Sequence, residues 1–331
     1  MKHVKHNQRM SRRTFLQALG LGGAGLAIPS RARAIGRVDD ASELATLLDL
    51  SKCIGCGACV DACRDTNAHK FPRPEKPFPK MYPPKVKVAD WSDKKDVRDR
   101  LTPYNWLFIQ TAFVDYKGTT HEINIPRRCL HCQNPPCANL CPWGAALKQR
   151  NGIVRINTDI CLGGAKCKMV CPWEIPQRQT GVGLYKDILP NFAGNGVMYK
   201  CDRCYDRVAQ GKLPACIEAC PFDVQTIGPR TEILARAREL ARKMDGFLYG
   251  AEENGGTNTV YVSPVPFELL DLQAQAGPGR PGLGPVDNTM AREETLGLAL
   301  LTAPVAGIAA GLLKAGAWLK RSAKPGKGEA S

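Results

Sequence analysis

Fifteen cysteines fall into four groups, and their spacing states the chemistry. The first group is Cys53, Cys56, Cys59 and Cys63, at C-x2-C-x2-C-x3-C. Three thiolates two residues apart can close on one iron–sulfur cube. The fourth, after a helical turn, points to a neighbouring cube. Gly55 and Gly57 suit a loop that must wrap such a group closely. The second group is Cys129, Cys132, Cys137 and Cys141, the third Cys161, Cys167 and Cys171, and the fourth Cys201, Cys204, Cys216 and Cys220. The last three groups each end in Cys-Pro, at Pro142, Pro172 and Pro221.

Four groups of four make sixteen ligand positions against 15 cysteines, with no thiol to spare. In the third group the missing ligand belongs three residues after Cys161, where Gly164 stands. Glycine has no side chain to bind iron. The expected cofactors are therefore three [4Fe-4S] clusters and one [3Fe-4S] cluster. The alternative is a fourth [4Fe-4S] whose odd iron takes water, hydroxide or a distant side chain. Disulfides are disfavoured by the odd count and by a density below that of disulfide scaffolds. Structural zinc uses C-x2-C pairs but does not account for the x2-x2 triplet or the repeated x3-Cys-Pro. Neither Cys129-Leu-His-Cys132 nor Cys201-Asp-Arg-Cys204 is followed by His, so c-type haem is excluded.

The elements that must position these groups can be read along the chain. Residues 1–34 read as a signal peptide: Ser11-Arg12-Arg13-Thr14-Phe15-Leu16 is a twin-arginine run, followed by an apolar stretch and Ala32-Arg33-Ala34. This route exports proteins folded around cofactors. Leu44–Leu50 reads as a strand leading into the first group. Residues 70–105, rich in Pro, Lys and Asp, read as an ordered surface loop. Hairpins are expected around Lys117-Gly118 and, through a two-residue turn, at Asn151-Gly152. Thr231–Met244 is periodic in Ile233, Leu234, Ala237, Leu240, Ala241 and Met244, the pattern of an amphipathic helix. Thr259–Val262 reads as a strand. The expected organisation is a cluster-binding domain at 35–228, a helix–strand extension at 229–272 and a linker at 273–294. A transmembrane helix at 295–313 and a basic tail at 314–331 complete it. Thr295–Leu313 carries no charge, and Lys314, Lys320, Arg321, Lys324 and Lys327 follow it. That asymmetry places the C-terminus in the cytoplasm and the preceding domain in the periplasm. Gly307 and Gly311 offer a contact face for another membrane helix.

The net charge of +15 falls to +8 without the first 34 residues. Each cluster with its thiolates adds roughly −2, so the basic balance is no sign of nucleic-acid binding. Lys166, Lys168, Arg203 and Arg207 lie near cysteines and are candidates to raise cluster potentials.

With these groups, signal and anchor, the chain resembles the four-cluster ferredoxin-type subunits of respiratory oxidoreductases. It is similar in particular to the exported, tail-anchored ferredoxin-like subunit of membrane-bound hydrogenases and of transmembrane cytochrome complexes. The resemblance includes the wide Cys204-x11-Cys216 gap and Tyr249-Gly250-Ala251-Glu252-Glu253-Asn254-Gly255-Gly256-Thr257. It implies an α+β fold of two fused dicluster ferredoxin-like modules with loop-rich insertions, plus a single C-terminal transmembrane helix. It also implies that the first group pairs with the fourth and the second with the third. Cys53, Cys56, Cys59 and Cys220 would hold one [4Fe-4S] cluster, and Cys201, Cys204, Cys216 and Cys63 the next. Cys129, Cys132, Cys137 and Cys171 would hold the third. Cys161, Cys167 and Cys141 would hold the ligand-deficient one. In the related nitrate reductase subunit a tryptophan replaces the same cysteine and the cluster is [3Fe-4S]. Hydrogenase-type relatives usually have this group complete.

The implied function is an electron-transfer subunit without catalysis of its own. It would pass single electrons between a periplasmic catalytic subunit or multihaem cytochrome and a membrane quinone-reactive subunit. Two competing readings are an enzyme using an open iron corner as Lewis acid and a zinc-binding assembly factor. No acid/base motif accompanies the first.

Overall fold

The computed structural model describes residues 43–78, 87–188 and 196–291. The expected signal peptide at 1–34, the apolar segment Thr295–Leu313 and the basic tail lie outside the described residues. Among the described residues no helix is long and apolar enough to cross a membrane.

The first strand is β1 (Leu44–Asp49), buried at every position from Ala45 onward. Such a run belongs to a strand covered on both faces. It leads through the first cysteine group into α1 (Ala58–Asn67). A long hairpin follows, β2 (Phe108–Tyr116) and β3 (Thr119–Arg127), turning at Lys117-Gly118 as expected. Then come α2 (Pro136–Asn139), β4 (Ala146–Lys148), β5 (Val154–Ile156), α3 (Lys166–Met169) and β6 (Gln177–Gln179). After α4 (Leu184–Ile188) the chain forms β7 (Val197–Tyr199), α5 (Tyr205–Ala209), α6 (Ala215–Glu218) and β8 (Gln225–Pro229). The C-terminal part holds α7 (Arg230–Lys243), β9 (Phe247–Tyr249), β10 (Thr259–Ser263) and α8 (Phe267–Leu272).

Four strands make one mixed sheet in the order β8-β1-β10-β9. β1 runs antiparallel to β8 and parallel to β10. The amphipathic α7 covers one face: Ile233, Leu234 and Ala237 pack on Ala45, Leu47, Val260 and Val262. The opposite face, carrying Leu48 and Tyr261, joins the core that holds most of the cysteines.

Three sequence expectations need correction. The β4–β5 turn is longer than two residues. Gly152 N–H donates to Gln149 O at 3.0 Å, so Arg150 and Asn151 form the turn. Gly152, at φ +77°, is the left-handed residue that follows it, as in three-residue hairpins. The loop at 70–105 is not all surface. Leu101, Tyr104 and Asn105 are buried, and Arg64 Nη1 donates to Tyr104 O at 3.0 Å. The Gly/Pro-rich stretch read as a linker packs on the domain as far as it is described. Leu283 is buried, Arg127 Nη2 donates to Pro281 O and Gly282 O at 2.8 and 2.7 Å, and Tyr249 Oη donates to Gly284 O at 3.0 Å.

Candidate metal centres

The strands explain how distant cysteines meet. β1 runs into Cys53 and β8 runs out of Cys220; their register pairs Leu48 with Gln225, so both groups sit at one end of the sheet. β4 leaves Cys141 and β5 leads to Cys161; Ala146 pairs with Ile156, and both cysteines lie at the open end of that hairpin. β6 follows Cys171 and β7 precedes Cys201, with Gln177 paired to Tyr199. Short antiparallel pairs thus join the first group to the fourth, the second to the third and the third to the fourth. Gly55 lies in the first loop at φ +73°, where a Cβ would come within 2.7 Å of Asn124 Oδ1, so only glycine fits.

All 15 cysteines are free thiols, most of them buried, and Cys56 is exposed. Burial pushes the Cys53 thiol up, and Cys220 and Cys56 add to this against a backbone N–H from Gly55. Burial and then Cys201, Cys216 and Cys204 hold Cys63 far above the ordinary thiol range. Cys132 is raised by burial, then by Cys171 and Cys129, and Cys137 shares those neighbours. Cys167 is pushed up to about 12 by burial and then by Cys161 and Cys141. Four nests of thiols result. Each also lies in the field of another. Cys59, at about 12, is raised by burial and then by Cys216 of the second nest. Cys201 of the second nest, also at about 12, is raised by burial and feels Cys129 of the third. Cys167 of the fourth feels Cys171 of the third.

Several donors point at sulfur. Arg128 Nη1 donates to Cys216 Sγ at 2.8 Å. Backbone N–H groups of Arg203 and Met198 donate to Cys201 and Cys161 at 3.3 and 3.5 Å. Asn67 Nδ2 lies 3.8 Å from both Cys63 and Cys204. Buried N–H groups of Arg128 (Nη2), His131 (Nε2) and Arg203 (Nε) have no partner. Iron–sulfide clusters, anionic and rich in acceptor sulfur, fit both the crowded thiols and these orphaned donors. A single zinc ion, bonded at about 2.3 Å, needs its ligands closely convergent. Among the described residues no three His, Cys, Asp or Glu side chains meet in that way.

Of the bases picked from sequence, Arg203 is buried against the second centre, where it donates to Leu44 O and Asn258 O at 2.6 Å. Lys166 is exposed. Lys168 donates to Gln177 Oε1 at 3.1 Å, and Arg207 pairs with Glu218. Sequence reasoning missed Arg128, His131, Lys200 and Asn67. A signal was present: Lys52, Arg128 and Lys200 each immediately precede the first cysteine of a group. Nothing in the sequence separates the exposed Lys52 from the buried other two.

The raised thiols give a pH prediction for the cluster-free chain. Folded Cys59, Cys167 and Cys201 bind their protons up to about pH 12, whereas unfolded thiols ionise near 8.5. Above that value the unfolded state holds fewer protons, so folding stability must fall as pH rises. Thermal melts of the cluster-free chain should drop steadily from pH 8 to pH 10. A flat or rising melting temperature would contradict the buried placement of these thiols.

Comparison with known proteins agrees with this geometry. Residues 52–145 and 121–230 each match a family described as 4Fe-4S dicluster domain. Hydrogenase-2 operon protein HybA of Escherichia coli O157:H7 is 29% identical over 301 residues, covering 80% of this chain and 84% of that protein. The B subunit of anaerobic dimethyl sulfoxide reductase from Escherichia coli K12 is 34% identical over 194 residues, covering 59% of this chain and 77% of that subunit. The iron-sulfur subunit of nitrate-inducible formate dehydrogenase from the same strain is 29% identical over 241 residues, covering 68% and 69%. Two dicluster domains, four nests of free thiols and this similarity lead to one conclusion: the chain belongs to the ferredoxin-type iron–sulfur electron-transfer subunits of respiratory oxidoreductases.

Proposed function

We propose that this chain relays single electrons between a periplasmic catalytic subunit, or a multihaem cytochrome, and a quinone-reactive membrane subunit. The observation that carries this reading is the set of antiparallel strand pairs that join the first cysteine group to the fourth, the second to the third and the third to the fourth, with all 15 cysteines free. Clusters bound there supply one-electron carriers whose potentials the protein sets by charge, hydrogen bonds and burial. The chain's own part is to fix their spacing, shield them and supply N–H donors.

The ligand sets follow the nests. Cys53, Cys56, Cys59 and Cys220 hold the first [4Fe-4S] cluster, and Cys63, Cys201, Cys204 and Cys216 the second. Cys129, Cys132, Cys137 and Cys171 hold the third. Cys141, Cys161 and Cys167 hold a [3Fe-4S] cluster beside Gly164. Residues 35–228 are the cluster domain. The twin-arginine run exports it, and Thr295–Leu313 anchors it with the C-terminus in the cytoplasm.

Capture of the tagged chain from detergent-solubilised membranes tests the relay. The expected assembly contains a catalytic oxidoreductase or multihaem cytochrome together with an integral subunit, and it reduces or oxidises quinone. Cys216→Ser should lower that quinone activity at least tenfold while the catalytic partner keeps its activity with artificial dyes. Quinone activity unchanged by Cys216→Ser would sink the proposal.

A further inference from the structure

Between the second and third centres lies a buried basic junction. Arg128, Lys200 and Arg203 are 3%, 6% and 3% exposed, and His131 is 1% exposed. Arg128 immediately precedes Cys129 of the third centre, and its side chain donates to Cys216 of the second. Lys200 precedes Cys201 and donates to Cys201 O at 3.1 Å and to Val154 O. Val154 N–H donates to His131 Nδ1 at 3.0 Å, which leaves the buried Nε2–H unpartnered. None of these three bases is ion-paired to a carboxylate among the described residues. The nearest in sequence, Asp202, pairs with Lys70 at 2.8 Å.

Buried cations whose oxygen partners are neutral carbonyls and a hydroxyl call for an anion nearby. The anions the junction faces are the thiolates of the two inner centres and the clusters they would hold. A fixed positive charge beside a cluster favours its reduced, more negative state and raises its potential. Arg128 also lies in the field of Cys59, and Lys200 in that of Cys167, whereas Lys166 and Lys52, near the outer groups in sequence, are exposed.

We infer that Arg128 and Lys200 are positioning residues that raise the potential of the centres around them, Arg128 through its hydrogen bond to Cys216 Sγ and Lys200 from beside Cys201. This rests on the four-cluster reading.

Dye-mediated redox titration of the purified, detergent-solubilised full chain, followed by EPR, tests this, with iron counted on every sample. Arg128→Gln and Lys200→Met should each keep wild-type iron. Each should lower the reduced-to-oxidised ratio of at least one [4Fe-4S] centre tenfold at fixed ambient potential, a shift of about 59 mV for one electron. Arg128→Lys should restore most of it, and Lys166→Met should move no centre. Unshifted potentials in Arg128→Gln and Lys200→Met at full iron would overturn the inference and leave the four-cluster reading standing. So would Arg128→Lys shifting as far as Arg128→Gln, since charge would then be irrelevant. If Arg128→Gln alone loses iron, Lys200→Met decides. If both lose iron, the bases serve assembly and the tuning role falls. A wild-type chain that holds no iron would overturn the four-cluster reading itself.

Discussion

Gly164→Cys should add one iron to the protein and abolish the oxidised-state EPR signal of a three-iron cluster. Gly164 occupies the position where the third group's second ligand belongs, three residues after Cys161. A Cβ built on it meets nothing within 4 Å, and its backbone is not left-handed. A cysteine there fits without strain, between Cys161 and Cys167 along the chain. Supplying the fourth thiolate completes a [4Fe-4S] ligand set. The readout is iron per chain, rising from about 15 to about 16, with the spectrum changing in step. A wild-type protein already at the higher count would mean that the open corner carries solvent or a distant side chain. The same open space around Gly164 would then admit a small ligand to iron.

Glu43→Ala should destabilise the loaded fold by about 3–5 kcal/mol, the usual effect of removing one partner from a buried ion pair. Glu43 is almost fully buried, and its carboxylate receives Lys148 Nζ at 2.5 Å, Gln133 Nε2 at 2.7 Å and Asn258 Nδ2 at 2.8 Å. Those partners come from the β4 strand, the second cysteine loop and the entry to β10. Its backbone carbonyl also receives Arg230 N at 2.7 Å, which fixes the start of α7. One side chain thus ties the mixed sheet to the second and third cysteine groups. Removing it leaves Lys148 and two amides without their shared acceptor. Glu43→Gln should cost less, because an amide oxygen still accepts. Anaerobic denaturant unfolding of the three proteins measures the difference. Equal midpoints for wild type and Glu43→Ala would show that the network is not load-sharing.

The cysteines were legible in the sequence because their chemistry is local: spacing alone groups them. The hairpins and α7 were legible for the same reason, since turn residues and periodicity are local signals. The return of β10 to lie parallel to β1 was not. Parallel pairing across more than two hundred residues leaves no pattern in either strand. That pairing makes the stretch read as an extension part of the sheet beside the first and fourth groups. The linker reading failed because Gly and Pro counts report backbone freedom and say nothing of the contacts made by Leu283 or Pro281. The buried bases were hidden by composition. Arg128 and Lys200 look like any solvated base until burial and the thiols around them are seen. Lys166 and Lys168 looked equally promising, yet one is exposed and the other binds Gln177.

The most direct measurement is iron, acid-labile sulfide and zinc on one anaerobically purified sample, with low-temperature EPR before and after reduction. The four-centre relay predicts about 15 iron per chain, negligible zinc, a three-iron signal when oxidised and interacting [4Fe-4S] signals when reduced. Stoichiometric zinc with little iron and no sulfide would contradict it and make the chain a zinc-binding protein.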